Sequence, residues 1–122
     1  MLKKVMTVDD SPTVLKVLNM ALTGAGYQVV EANDGQEAID KLTQTNVDLL
    51  VTDLNMPNMD GVELIKQVRQ KPGNRFMPII MLTAEAQSEM KAAGKKAGAS
   101  GWITKPFQPE QLLPVIQMVC PA

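Results

Sequence analysis

Residues 49–61 of the chain read Leu-Leu-Val-Thr-Asp-Leu-Asn-Met-Pro-Asn-Met-Asp-Gly. The first four residues form a short apolar run that predicts a β-strand, and this strand ends at Asp53. The turn-forming residues after Asp53 predict a loop of the kind that carries function. A carboxylate directly after a strand lies where open α/β sheets bind their ligands. This segment therefore predicts both a sheet and a site at its edge.

Three more apolar runs end on a polar or charged side chain, and a short strand at residues 28–30 is the exception. Helical patterns separate the runs, which predicts βα units, a parallel sheet and an α/β fold of one domain. Because the carboxyl ends of parallel strands share one edge, the end residues are expected to form one group. The runs and their end residues are 5–8 before Asp9 and Asp10, 79–82 before Thr83, and 102–104 before Lys105.

Two of the predicted helices have unusual features. The fourth, at about residues 88–97, has little apolar character and contains Gly94, which costs about 1 kcal/mol relative to alanine. We expect this helix to be the most easily remodelled. The last helix begins at Gln108-Pro109-Glu110 and contains Pro114, which predicts a kink or a later helix start. The methionines at positions 6, 20, 59, 77, 81 and 118 are predicted to fill the core.

Composition bounds the class of protein. The 122 residues are 45% hydrophobic with a net charge of −1, which is typical of one globular domain and indicates no nucleic-acid or membrane partner. No apolar run is long enough to span a bilayer, and no signal peptide is predicted, so we expect a cytoplasmic protein. The single cysteine, Cys120, is interpreted as structural or incidental. Histidine is absent, which excludes histidine-based catalysis and histidine phosphorylation in this chain.

The chemistry of the strand-end group follows from strand order. In the flavodoxin-like order 2-1-3-4-5, Asp9 and Asp10 lie beside Asp53. Two carboxylates about 4 Å apart repel by roughly 4 kcal/mol at an effective dielectric of about 20. Oxygen ligands and an open site favour Mg²⁺, and with Mg²⁺ one carboxylate can accept a phosphoryl group. Thr83 and Lys105 would then contact its oxygens.

Each of these residues has a simpler interpretation when it is taken singly. Asp10 is then a turn former or helix cap, Thr83 a cap and Lys105 a solvated surface charge. Their joint placement at one sheet edge favours the functional interpretation.

Four motifs together resemble the receiver domain of two-component response regulators, in order and spacing along the whole chain. They are residues 8–11 (Val-Asp-Asp-Ser), residues 52–57 (Thr-Asp-Leu-Asn-Met-Pro) with Asp60-Gly61, residues 82–85 (Leu-Thr-Ala-Glu) and residues 104–107 (Thr-Lys-Pro-Phe). The likeness is to a stand-alone receiver of the chemotaxis CheY type, itself an example of this strand order. It implies a receiver domain over residues 1–122 with no output domain.

The resemblance implies a role for each metal-binding and acceptor residue. Asp53 would be phosphorylated by a phosphohistidine on a CheA-like sensor kinase. Asp10 and Asp53 would bind Mg²⁺ through their side chains, Asn55 through its backbone carbonyl and Asp9 through water. Asn55 and Glu85 would also tune dephosphorylation.

A second set of implied roles concerns the switch. Thr83 would be the switch hydroxyl, with the small Ala84 leaving room for its movement, and Lys105 would bridge to the phosphoryl group. The bond between Lys105 and Pro106 is cis in relatives. Trp102 stands where the family commonly has Tyr or Phe, and its larger ring is expected either to limit the inward swing or to keep one rotamer in both states.

The resulting interpretation is a monomeric signalling switch that accepts phosphate without being a turnover enzyme. Its target face would comprise helix four, strand five and helix five, and its target would be a flagellar motor switch protein, with a phosphatase as a further partner. One alternative is a phosphate sink or relay that does not bind the motor. Another is a phosphatase with an aspartate nucleophile, which Asn55 disfavours because it has no acid–base capacity.

Overall fold

The computed structural model of the protein describes residues 2–84 and 88–122, and these alternate five strands with five helices. Glu85 lies outside the described residues. The strands are β1 (Lys4–Val8), β2 (Gln28–Ala32), β3 (Leu49–Asp53), β4 (Ile79–Ala84) and β5 (Gly101–Lys105). The helices are α1 (Pro12–Gly24), α2 (Gly35–Leu42), α3 (Gly61–Gln70), α4 (Ser88–Ala97) and α5 (Pro109–Val119).

The sheet has the order β2-β1-β3-β4-β5, and every strand pair is parallel. This is the flavodoxin-like order predicted from the sequence, in one domain. The order reverses at β1 and β3, which are neighbours although α1, β2 and α2 separate them in the chain. The carboxyl ends of β1 and β3 therefore form the switch point at which such sheets bind ligands.

Two hydrophobic cores cover the two faces of the sheet, as alternation along buried strands requires. In β3, Leu49 and Val51 face the core formed with α1 and α5, and Leu50 faces the core formed with α2 and α3. In β4, Leu82 faces the core formed with α1 and α5, and Met81 faces the core formed with α2 and α3. Successive residues at the ends of the strands therefore point to opposite faces.

Side-chain caps begin the helices next to the sheet edge. The Ser11 hydroxyl accepts a hydrogen bond from the Val14 N–H at 3.3 Å, and Pro12 follows at the first helical position. Asp60 caps α3 in the same way, accepting from the Glu63 N–H at 2.9 Å. Since Ser11 performs the cap of α1, Asp10 is left exposed for other contacts.

Helix α4 lies close to the sheet at Gly94, which is the buried residue of this helix. A Cβ built on Gly94 would overlap Met81 Sδ and would lie 3.7 Å from Leu54 Cδ2. Glycine, which lowers the helix propensity noted above, therefore allows a close approach that a larger residue would permit only if the Met81 side chain moved.

Arg69 fastens the other end of α4. Its Nε and Nη2 donate to the Gly98 carbonyl at 3.2 and 2.7 Å, and its Nη1 donates to the carbonyl oxygens of Asn74 and Met77. Gly98 has φ = 121°, a conformation that favours glycine. The guanidinium thus joins α3, the entrance to β4 and the carboxyl end of α4.

Three details differ from or refine the sequence predictions. Helix α5 starts at Pro109 and continues through Pro114, so a later start is wrong. Met20 and Met118 are 67% and 82% exposed, so they do not fill the core. Cys120 is buried, and burial raises the pKa of its thiol, as expected for a structural cysteine.

Among the described helices, none has the length and apolar character needed to cross a bilayer.

Candidate functional site

Three carboxylates meet at the carboxyl ends of β1 and β3. Asp9, Asp10 and Asp53 each offer an oxygen, and these oxygens lie within 4.8 Å of one another. Asp9 is fully buried and Asp53 is 6% exposed, whereas Asp10 faces solvent. The structure thus brings together the three acidic residues predicted from the sequence, with one open side through which a ligand can enter.

Backbone N–H groups fix the two buried carboxylates. Ser11 N–H donates to Asp9 Oδ1 at 2.9 Å, and Leu54 N–H donates to Asp53 Oδ1 at 2.9 Å. The Thr52 hydroxyl donates to the Asp53 carbonyl at 2.8 Å and so holds the main chain at the end of β3. Both carboxylates are oriented before any ligand arrives, which lowers the cost of binding one.

Lys105 reaches the pocket from β5, which lies beyond β4 at the edge of the sheet. Its Nζ is 2.7 Å from Asp9 Oδ2 and 3.4 Å from Asp53 Oδ1. The side chain is 25% exposed, so the ammonium is partly desolvated and its charge acts on both carboxylates. Lys105 is therefore part of the acidic pocket and not a solvated surface charge.

The charge of the pocket is only partly compensated. Burial raises the pKa of the Asp53 carboxyl above its ordinary value, and the charge of Asp9 raises it further. The charge of Lys105 and the Leu54 N–H act in the opposite direction without reversing the shift. An additional cation would stabilise the ionised form of Asp53.

The pocket fits Mg²⁺. Its donors are all oxygens, and Mg²⁺ takes oxygen ligands at about 2.1 Å, which places opposite ligands about 4.2 Å apart. The 4.8 Å limit on the three carboxylate oxygens is compatible with that spacing after small adjustments. Asn55 follows in the loop with an exposed side chain, and its predicted role through the backbone carbonyl stays a prediction.

Thr83, the predicted switch hydroxyl, lies on the face of the sheet that α4 covers. Thr83 is 1% exposed and is paired with Thr104, one residue beyond the Asp53–Leu82 register pair. By strand alternation it shares the face of Met81, which contacts α4 through Gly94. Thr83 is thus a strand residue and not a helix cap, and it lies between the pocket and α4. Ala84, the next residue, is exposed.

Trp102 is held by lysines of α4. The indole is 38% exposed, and the ammonium groups of Lys91 and Lys95 lie 3.9 and 4.5 Å from its ring centroid. Cation–π contacts of this kind are worth about 0.5–1 kcal/mol at exposed positions. The Lys105–Pro106 bond is cis, as the resemblance implies.

Gly61 has a role that the sequence analysis did not identify. Its N–H donates to the Leu54 carbonyl at 2.8 Å, and a Cβ at this position would overlap the Asp53 carbonyl oxygen. The loop from Asp53 to Gly61 is therefore closed against β3, with Asn58 at φ = 71° as its tightest point. The Asp60-Gly61 pair was the available signal, but only the fold shows which atom the missing side chain would meet.

A parallel sheet with carboxylates at its switch point, one of them a buried aspartate, and a lysine from the last strand is an arrangement suited to a phosphoryl-accepting signalling domain. The model of the response regulator receiver domain matches residues 5–117, and the chain belongs to this family. It is accordingly a receiver domain of a response regulator in phosphorylation-dependent two-component signalling.

Solved structures agree over nearly the whole chain. Chemotaxis protein CheY4 of Vibrio cholerae is 44% identical with a TM-score of 0.93, covering 98% of this chain and 99% of CheY4. The receiver domain of the sensor histidine kinase PA1611 of Pseudomonas aeruginosa is 27% identical with a TM-score of 0.89, covering 98% of each chain. That structure has a magnesium ion coordinated in its active-site cleft.

Curated relatives include longer proteins. The alkaline phosphatase synthesis transcriptional regulatory protein PhoP of Bacillus subtilis is 39% identical over 110 residues, which is 90% of this chain. The transcriptional regulatory protein ResD of the same organism matches to the same extent. The chain spans 45% of the length of these two relatives.

Proposed function

We propose that Asp53 accepts a phosphoryl group from a phosphohistidine of a partner histidine kinase. The observation that supports this most directly is the meeting of Asp9, Asp10 and Asp53 oxygens within 4.8 Å, with the Lys105 ammonium 3.4 Å from Asp53. The pocket would hold Mg²⁺ through Asp9, Asp10, Asp53 and the Asn55 carbonyl. When bound, Mg²⁺ supplies positive charge that offsets the charge of the phosphoryl oxygens.

The transfer step uses the carboxylate of Asp53 as nucleophile. One of its oxygens forms a bond to phosphorus while the P–N bond of the phosphohistidine breaks and its electron pair returns to the imidazole nitrogen. The Leu54 N–H holds Oδ1 in place, and Lys105 lies close enough to move from the carboxylates to a phosphoryl oxygen. Positioning and charge neutralisation account for catalysis of this kind.

The phosphorylated state is proposed to act through Thr83 and α4. A phosphoryl group on Asp53 presents acceptor oxygens one strand away from the buried Thr83 hydroxyl, and movement of Thr83 toward them changes the packing beneath α4. Trp102, stacked under Lys91 and Lys95, then changes its surroundings with α4. This is a two-state element biased by a local charge, and the receiver itself performs no turnover of external substrate.

The proposed target of this face is a flagellar motor switch protein, and the proposed pathway is chemotaxis in the cytoplasm. Support comes from the 44% identity to CheY4 over 98% of the chain. A phosphate sink or relay is the second candidate, because the chain is also 39% identical over 90% of its length to PhoP and ResD, which are transcriptional regulators. Binding of a purified motor switch protein to the phosphorylated and unphosphorylated chain separates the two, because a sink shows no phosphorylation-dependent affinity.

Phosphorylation at Asp53 is tested with acetyl phosphate and Mg²⁺, followed by intact-mass spectrometry. The wild type and Asp48→Asn, which changes a carboxylate at the opposite end of the sheet, are expected to gain one phosphoryl group. Asp53→Asn is expected to gain none. Equal labelling of Asp53→Asn and the wild type would contradict the assignment.

A further inference from the structure

A groove lies between α3 and α4, and none of its described lining residues belongs to the acidic pocket. It has a volume of about 400 Å³, and its lining is Val62 and Lys66 from α3 with Ala93, Lys96 and Ala97 from α4. Val62 and Ala97 are half-buried and Ala93 is exposed. The floor is therefore apolar, and among the described lining residues the two lysines carry the charge.

The groove results from how α4 packs. The α4 side of the groove has short apolar side chains, since Ala93 and Ala97 lie within one turn of Gly94, which is buried against Met81. Arg69 bonds the carboxyl end of α4 to the carboxyl end of α3, next to Lys96 and Ala97 of the groove.

The two lysines have no carboxylate partner within the described ranges. Glu63, the acidic residue nearest to Lys66 in the chain, accepts a hydrogen bond from Gln67 at 3.4 Å instead. Helix α4 carries Lys91, Lys95 and Lys96 against the single acidic residue Glu89. In a chain with a net charge of −1, this side of the molecule has a local excess of positive charge over an apolar floor.

We propose that the α3–α4 groove docks an acidic, amphipathic segment of a partner protein. Carboxylates of that segment would pair with Lys66 and Lys96, and small or aliphatic side chains would cover Val62, Ala93 and Ala97. An acidic partner is favoured because both flanking charges are positive and unpaired within the described part of the chain, while a basic or neutral segment would leave them uncompensated. We propose this docking for the unphosphorylated protein.

The groove is tested by NMR titration of the ¹⁵N-labelled, unphosphorylated protein. The probe is a synthetic acidic peptide with Glu on one helical face and Leu and Ala on the other. Amide shifts are expected at Val62, Lys66, Ala93 and Ala97, with an affinity that falls as salt rises. A peptide of the same charge without the leucines is expected to bind at least about tenfold more weakly, a difference of about 1.4 kcal/mol.

Matched variants locate the contact. Lys66→Glu/Lys96→Glu is expected to weaken binding at least about tenfold. Lys3→Glu/Lys16→Glu changes the net charge equally at exposed positions elsewhere and is expected to change the affinity by less than about twofold. Ala93→Leu keeps every charge, fills the groove and is expected to weaken binding about as much as the Lys66/Lys96 reversal.

Several outcomes would overturn the proposal. Shifts centred on Trp102 would place the peptide on the other edge of α4, and equal losses for the two double variants would show that net charge alone attracts it. Absence of binding at millimolar peptide would show that the groove takes no acidic segment. If Lys66→Glu/Lys96→Glu instead abolished a self-association seen by sedimentation, the occupant would be a second copy of this chain. Acetyl phosphate labelling of Asp53 is unaffected by any of these results, so the two proposals fail separately.

Discussion

The β3 end of the sheet and the α4 side of the molecule are held in place by different contacts. At β3, Asp53 accepts a backbone N–H, and Gly61 closes the following loop directly on the Asp53 main chain. At α4, contact depends on the flexible side chain of Met81 beneath Gly94 and on lysines stacked over Trp102. Backbone contacts fix atoms more tightly than side-chain contacts do, so we infer that Asp53 is held rigidly and that α4 is the adjustable part.

The largest expected effect comes from breaking the rigid side. Gly61→Ala places a methyl group against the Asp53 carbonyl oxygen, where neither backbone can yield, and is expected to lower the free energy of unfolding by about 3 kcal/mol. Urea denaturation measures it. Gly73→Ala is the matched control because a Cβ at Gly73 meets nothing within 4 Å. A loss below about 1 kcal/mol for Gly61→Ala would show that the loop adjusts, which contradicts the rigid interpretation.

Substitution of Gly94 in α4 is expected to change the free energy of unfolding less than substitution of Gly61. Gly94→Ala gains about 1 kcal/mol of helix propensity but drives a methyl group into Met81 Sδ, for a net loss of about 1–2 kcal/mol in the free energy of unfolding. In a Met81→Ala background the overlap is gone, and the same substitution is expected to stabilise by up to about 1 kcal/mol. A double-mutant cycle in urea measures this change of sign. An equal loss in both backgrounds would exclude Met81 as the contact.

Substitution of Asp53 tests whether the charge of the acidic pocket is uncompensated. The pKa of Asp53 is raised in the fold, so its contribution to stability is present below the ordinary carboxyl pKa and is lost as pH rises through the raised pKa. Metal-free Asp53→Asn is therefore expected to be more stable than the wild type at pH 7, by on the order of 1 kcal/mol, with the difference shrinking toward acid pH. Thermal denaturation from pH 3 to pH 7 measures it.

Magnesium provides the control for this acceptor substitution. Added Mg²⁺ is expected to stabilise the wild type and to close the gap to Asp53→Asn, because a cation offsets the charge that the pocket leaves uncompensated. An Asp53→Asn protein that is less stable than the metal-free wild type at pH 7 would show that Lys105 already compensates the pocket.

The smallest expected effect concerns the lysine contacts of Trp102. Lys91→Met removes one ammonium from the ring and is expected to cost about 0.5 kcal/mol of the free energy of unfolding and to shift the emission of the chain's single tryptophan. Lys96→Met is the matched control, since Lys96 lines the α3–α4 groove and is not stacked on the indole. If the tryptophan emission of Lys91→Met equalled that of Lys96→Met, the contact of Lys91 with the Trp102 ring would not be maintained in solution.

The sequence was most informative where function and topology depend on the same residues. Alternating strand and helix patterns with right-handed crossovers allow few topologies, so the strand order and the meeting of Asp9, Asp10 and Asp53 were predictable. The pairing of Lys105 with both Asp9 and Asp53 was not predictable, because a flexible lysine side chain can adopt many orientations and only the structure shows which one it takes.

Packing details were the part that the sequence could not supply. Gly94 was interpreted as a weakness of a helix, and its burial against Met81 depends on how closely two distant segments approach. Met20 and Met118 follow a general tendency of methionine to be buried, but here they lie on the outer faces of α1 and α5. Pro114 is accommodated inside α5, which propensity alone disfavours.

The bonds from Arg69 to Gly98 have a mechanical consequence. They hold α4 at its carboxyl end. If the packing near the end of β4 changed, α4 would act as a lever that rotates about Gly98. The lever is ten residues long, or about 15 Å, and a rotation of about 10° moves its amino end by roughly 2.6 Å while its fastened end stays in place. A partner that contacts the amino end of α4 would therefore meet a displaced surface, whereas a partner that contacts the carboxyl end would meet an almost unchanged one.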